Sequence, residues 1–399
     1  MKKITWLTFV VALTAFLSSC SNSDDPKYSK LVIFGDSVSD SGTYAVGWLA
    51  ASGGGRYTVN SGDPANPAKI YVDLLAERLG LSRPCPAWTG LESRLHPDFP
   101  IPFSPVAVVD HTGPSKNCRN YAMGGAQVSL PVGPANKLLP EERAGFIGQL
   151  TYPVSDQIKK HLTVAGGFDG TELVIVQGGG NGIFMQAAPL EALSKGNILG
   201  FMQDAGFAGW SKETIDEILG AASIGNVNLT RDKAVAAAVQ GMAKAGSELA
   251  AMVKEQLIKK GARTVLVINI PDAASSIYGA ENTATLPVVS AMVSAFNAQL
   301  SAGLTGVPEV IQFDLFKATQ AWFTQPSVYS LTSVNQRACS RDQQKNFLDG
   351  RAILCSVNNT SAGDVSRYLT ADDVHPTPYG HSLIANAVED ALRNANKWK

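Results

Sequence analysis

The chain has 399 residues, and its 33 Lys+Arg against 34 Asp+Glu leave a net charge of -1. That balance excludes the basic footprint of a nucleic-acid binder and an acidic, cation-collecting tail. With 45% hydrophobic and 17% charged residues, the chain is long enough for a large core in one big domain or two moderate ones.

In chain order the first predicted element is a targeting signal. Lys2-Lys3 forms a charged start and Ile4 to Leu17 an apolar stretch of secretory length. Leu17-Ser18-Ser19-Cys20 resembles a bacterial lipobox, which implies cleavage before Cys20 and a lipid on its sulfur. The alternative is an ordinary secretory signal with an incidental cysteine. The hydrophilic run from Ser21 to Pro26 favours the lipidated reading, with a signal peptide over 1–19 and a tether over 20–29. By similarity to lipoproteins of enteric-type bacteria, Ser21 carries no inner-membrane retention signal. The expectation is an exported chain anchored by its lipid, at the outer membrane. No other stretch approaches the roughly 20 apolar residues of a spanning helix.

The domain is expected over 30–399. Leu31 to Phe34 reads as its first strand, followed by a Gly-rich stretch, Gly53-Gly54-Gly55, read as a flexible loop. Ile70 to Leu79 has helical spacing of apolar residues and stops at Gly80. Residues 81–118 are a Pro-rich excursion, and Asn120 to Ala126 is an apolar segment turning on Gly124-Gly125. Thr151 to Leu162 reads as a helix. Leu173 to Gln177 is a continuous apolar run, the mark of a strand buried on both faces. Residues 183–260 are Ala-rich and read as a helical insert, clearest over Ala234 to Ile258. Thr264 to Ile270 and Val310 to Leu315 are further strands, with a helix from Pro287 to Leu304 between them. Residues 320–370 read as a second long loop region, and Pro378 to Lys399 as the closing helix. Strands alternating with helices predict an α/β fold with a mainly parallel sheet.

Apart from Cys20 there are four cysteines, which allow three pairings. Export makes disulfides plausible, and the local pairing Cys85–Cys118 with Cys339–Cys355 closes two modest loops. Free buried thiols are the alternative. No pair has the C-x-x-C spacing of a zinc or redox site.

The chemistry centres on Phe34-Gly35-Asp36-Ser37, at the carboxyl end of a buried strand, where open α/β sheets place their sites. A serine hydroxyl needs a base within reach and a third group to orient that base. Ser37 is the candidate nucleophile, His375 the base and Asp372 the orienting carboxylate, three residues before it. Asp373 competes with Asp372, which is favoured. Asp36 reads as a residue that fixes the turn. Donors for a tetrahedral oxyanion are sought at the Ser37 N–H, the Gly124-Gly125 turn and the Asn181 side chain. His381 is expected to cap or pack in the last helix, whereas His96, His111 and His161 carry no signal beyond surface or loop residues. Ile183, Phe184, Met185, Ile198, Phe201, Met202 and Phe207 are a candidate acyl pocket, against the plainer reading of a helical core face.

Four blocks in this order resemble the GDSL esterase/lipase family, the SGNH hydrolases. They are Phe34-Gly35-Asp36-Ser37 with Ser39-Asp40-Ser41-Gly42, then Asn120 to Ala126, then Gly178-Gly179-Gly180-Asn181, then Asp372 and His375 followed by Pro376-Thr377. The resemblance implies a flavodoxin-like three-layer α/β/α fold and cofactor-free, metal-independent ester hydrolysis. It implies a Ser37–His375–Asp372 triad and oxyanion donors at Ser37, Gly125 (with Gly124 as fallback) and Asn181. One departure is Gly182, where many members carry aspartate. The expected partner is a small-molecule or lipid ester, with no nucleic acid and the membrane reached only through the anchor. Acyl transfer to a lipid, carbohydrate O-deacetylation and non-catalytic lipid or glycan binding are the alternatives.

Overall fold

The computed structural model describes residues 27–89, 109–110, 118–134, 151–282, 286–346 and 349–398. The expected signal peptide and lipid-anchor residue Cys20, with His96 and His111, lie outside these residues. Six strands are described: β1 (Leu31–Phe34), β2 (Trp88–Thr89), β3 (Val109–Asp110), β4 (Leu173–Gln177), β5 (Val265–Ile268) and β6 (Val310–Phe313). The α-helices are α1 (Gly47–Ala51), α2 (Tyr71–Arg78), α3 (Val154–Ala165), α4 (Gly180–Ser194), α5 (Ile198–Phe207) and α6 (Lys212–Ser223). They continue with α7 (Val227–Met252), α8 (Ile277–Glu281), α9 (Leu286–Leu304), α10 (Leu315–Thr324) and α11 (Pro378–Asn394).

β1, β4, β5 and β6 form one all-parallel sheet in the order β1-β4-β5-β6. Their side chains alternate between two separate cores. Val32, Phe34, Val174, Val176, Val265 and Val267 face one, with α3, α4, α7 and α9 over them. Leu31, Ile33, Leu173, Ile175, Leu266 and Ile268 face the other, with α2, α10 and α11. This is why the strands read as unbroken apolar runs: both faces are buried. The fold is α/β, compatible with three layers. β2 and β3 pair separately as an antiparallel ribbon.

Pairing along the free side of β1 sets up the site. Ile33 N–H donates to Arg119 O at 2.9 Å, Tyr121 N–H to Ile33 O at 2.8 Å, and Met123 N–H to Gly35 O at 3.1 Å. The segment before the glycine turn thus runs parallel to β1 and ends beside Ser37. The disulfides are Cys85–Cys118 and Cys339–Cys355, the local pairing.

Several expectations need correction. The helix expected from Thr151 starts at Val154, because Pro153 sits at its N-cap in extended backbone. The strand expected to Leu315 stops at Phe313; the Asp314 side chain accepts from Lys317 N–H and caps α10, so the second loop region begins only after a helix. The helical insert begins at Gly180, and the last helix ends at Asn394. Gly53-Gly54-Gly55 is a packed turn rather than a flexible loop: all three are buried, and their N–H groups donate to Ala50, Leu49 and Ile353 carbonyls.

His161 is a further correction, since it is a core residue of α3 at 1% exposure. Its ring lies 4.5 Å from that of Phe168 and 5.4 Å from that of Tyr121, edge-on to the latter. Burial, helped by the Arg119 charge, pulls its pKa from 6.5 down to about 4. His381, fully buried on Tyr71, is pulled down to about 3 by the same desolvation. A depressed imidazole stabilises the fold above pH 6.5, and this stability is lost as pH falls, because the unfolded chain takes up the proton first. Unfolding free energy should therefore decline from pH 6.5 towards pH 4. Urea titrations across that range should give a shallower slope for His161→Leu, with His381 supplying the remainder; an unchanged slope would refute the assignment.

Candidate active site

The carboxyl ends of β1 and β4 and the segment beside β1 lie side by side at one end of the sheet. β1 ends into Ser37, the segment over 119–123 into Gly124-Gly125, and β4 into the N-terminus of α4 with Asn181. The end of β1 is clamped by Gln157, whose side chain accepts from Gly35 N–H and donates to Gly35 O, both at 2.8 Å.

The loop before α11 supplies the other two groups. His375 Nε2 lies 2.8 Å from Ser37 Oγ, and His375 Nδ1 lies 2.9 and 2.8 Å from the two Asp372 oxygens. A carboxylate can only accept, so Nδ1 carries the proton and the Nε2 lone pair faces the serine hydroxyl. Asp372 Oδ1 also accepts from the N–H groups of Val374 and His375, and Oδ2 from Ala352 N–H at 2.9 Å. Burial alone would raise the Asp372 carboxyl. The pull of the His375 ring whenever it is protonated, and these hydrogen bonds, outweigh it and hold the group well below the ordinary carboxylate range. Asp373 points elsewhere and pairs with Arg337, so of the two aspartates it is Asp372 that meets the His375 ring.

The glycine turn is fixed at almost every peptide group. Gly124 N–H donates to Asp40 Oδ2 at 3.0 Å, Gly124 O accepts from Tyr44 Oη at 3.0 Å, and Ala126 O accepts from Asn181 Nδ2 at 3.0 Å. Gly125 has φ +87°, which favours glycine. Gly124 N–H is committed to Asp40, so of the two glycines only Gly125 has its N–H left over. Asn181 uses one amide hydrogen on Ala126 and keeps a second. It stands in the first turn of a 15-residue helix, at the end that carries the positive pole of the helix dipole.

Asp36 ties down the loop after β1: Oδ1 accepts from Val38 N–H at 3.2 Å and Oδ2 from Gln177 Nε2 at 3.0 Å. Burial pushes its carboxyl up to about 6. Asp40 is a holder of equal importance, accepting from Gly42 and Thr43 as well as Gly124. His381 packs in α11, its Nδ1 accepting from Tyr71 N–H at 3.3 Å. At Gly182 a Cβ would lie 2.9 Å from Met242 Sδ, so a side chain there would have to displace the end of that methionine from α7. The loop is held instead by Asn181 on Ala126 and by Gly182 N–H on Gly179 O at 3.0 Å.

The acyl-pocket candidates do not form one wall. Ile183, Met185 and Phe201 are buried core, whereas Ile198 and Met202 are exposed and Phe184 packs edge-on against Tyr278. Sequence reasoning also missed Tyr57, whose ring centroid lies 4.9 Å from that of His375, and the platform under Asp372. That platform is a small core of Val59, Ala338, Cys339, Ala352, Cys355 and Ala371. Asn60 Nδ2 lies in hydrogen-bond range of the carbonyls of Ala352 and Cys355, tying the platform to the segment that carries Tyr57. Among the described residues, no group of three His, Cys, Asp or Glu is arranged to hold a metal ion. No described helix is long and apolar enough to cross a membrane.

Compared with known proteins, the chain matches no protein-family model and no curated protein.

The Cys339–Cys355 bridge spans 16 residues and carries Ala352 to Asp372. Loop entropy makes such a bridge worth roughly 3 kcal/mol. Cys339→Ala/Cys355→Ala should lower the unfolding free energy by about that amount in denaturant titrations. Below its melting temperature the variant should also lose reactivity at Ser37, because the platform under Asp372 loosens. Full reactivity with full stability would show that the bridge supports nothing here.

Proposed function

We propose that the chain is a serine ester hydrolase of the GDSL/SGNH kind, on a flavodoxin-like α/β/α fold. The observation that carries this reading is the unbroken relay from Asp372 through His375 to Ser37, with contacts of 2.8 to 2.9 Å. Ser37 attacks an ester carbonyl while His375 Nε2 takes its proton. Asp372 keeps the proton on Nδ1 in place and stabilises the imidazolium that forms. The oxyanion is met by the N–H groups of Ser37 and Gly125 and by the second amide hydrogen of Asn181. His375 returns its proton to the departing alcohol, leaving an acyl-serine. Water, deprotonated by the same imidazole, then releases the acid. The two disulfides support an oxidising compartment, and with it the exported, lipid-anchored reading of the N-terminal sequence.

Ser37→Ala should reduce hydrolysis of p-nitrophenyl butyrate to the solvent background with an unchanged melting temperature. Asn181→Ala should cost on the order of 10²-fold in kcat. Turnover retained by Ser37→Ala would sink the mechanism, and a loss below about threefold in Asn181→Ala would reduce Asn181 to a tie on the glycine turn.

A further inference from the structure

Tyr57 touches both halves of the site. Its ring lies against the His375 imidazole, tilted by 37°. The phenol end of the same ring lies on Gly124, where a Cβ would fall 2.2 Å from Oη and 2.3 Å from Cζ. Any side chain at residue 124 would therefore have to push the Tyr57 ring aside, a reason for glycine unconnected with its own N–H. One side chain spans from the base to the turn whose next N–H, that of Gly125, is unused.

The neighbouring tyrosine shows the contrast. Tyr44 packs edge-on against Tyr57, with centroids 6.2 Å apart, and spends its hydroxyl on Gly124 O. Tyr57 Oη has no hydrogen-bond partner among the described residues. Burial, with Tyr44 and the Asp40 carboxylate adding to it, pushes the Tyr57 phenol well above its usual value of 10, so it keeps its proton. Tyr57 is half-buried, and its hydroxyl is not one of the fully buried polar atoms, so it is open to a ligand oxygen.

The ring is placed with care. The packed turn at Gly53-Gly54-Gly55 delivers it, Asn60 brackets it by bonding Arg56 and Thr58, and Thr58 Oγ1 donates to Pro376 O at 2.9 Å, next to His375.

We propose that Tyr57 is a further catalytic residue, donating its hydroxyl to the ester oxygen that turns negative when Ser37 attacks. This rests on the serine-hydrolase reading. It adds a fourth donor, on the His375 side of the glycine turn, to the three already named. No bond is made or broken at Tyr57, which keeps its proton throughout.

Tyr57→Phe keeps the ring against His375 and removes only the donor. With p-nitrophenyl butyrate, kcat should fall on the order of tenfold or more while KM changes little. If Tyr57 merely packs, Tyr57→Phe will match the parent within about twofold while Tyr57→Leu loses activity, and the proposal is overturned. Should Tyr57→Phe fail to fold, 3-fluorotyrosine at position 57 offers a more acidic phenol in the same ring. It should change kcat, and an unchanged kcat overturns the proposal. Ser37→Ala measured alongside separates the two ideas. Turnover that survives Ser37→Ala defeats the hydrolase reading itself, whereas Ser37-dependent turnover untouched in Tyr57→Phe defeats only the role of Tyr57.

Discussion

A buried negative charge at Asp372 is the constraint on which the site depends. The residue is 2% exposed, and an isolated carboxylate so placed would take up a proton. It stays ionised because four N–H groups converge on it: those of Ala352, Val374 and His375 from the backbone, and His375 Nδ1. Three of the four come from its own turn, so the order Asp-Asp-Val-His fixes the geometry locally. The fourth, Ala352, comes from twenty residues earlier. It arrives only because Cys339–Cys355, the Asn60 hub and a small apolar core hold that segment against the turn.

The parallel sheet supplies the rest. Its strands point the same way, so β1 and β4 deliver Ser37 and Asn181 to one edge. The segment paired with the free side of β1 delivers the glycine turn beside them. Asp40 then ties the loop after Ser37 to Gly124, and Asn181 ties α4 to Ala126. Nucleophile, turn and amide are thus cross-linked by hydrogen bonds that do not use the Gly125 N–H or the second Asn181 hydrogen. Donors left over by a rigid frame are what charge stabilisation in a transition state requires.

Much of this was legible in the sequence. The buried strands show as unbroken apolar runs because each packs on both faces, and Ser37 and Asn181 stand where two of those runs stop. Asp372 and His375 could be paired because a three-residue turn joins them. What stayed hidden depends on contacts between distant segments. Tyr57 and Gln157 sit in no motif, and their roles arise only when 56–60 meets 352–376 and α3 meets β1. His161 looked like a loop residue because nothing local announces that Phe34, Tyr121 and Phe168 will enclose it. The helix after β6 was masked by its neighbour: Asp314 caps α10 directly at the strand end, and the two elements merge into one apolar stretch. Gly182 read as a missing carboxylate, whereas the packing of Met242 leaves no room for one without a shift.

The central claim is that His375 and Asp372 make Ser37 a nucleophile. The most direct measurement is covalent labelling of the folded protein with a fluorophosphonate, with the adduct located by peptide mass spectrometry. The account predicts a single adduct, on the peptide carrying Ser37, that is lost when His375 is replaced by alanine. Folded protein that takes up no label, or labels at another serine, would contradict it.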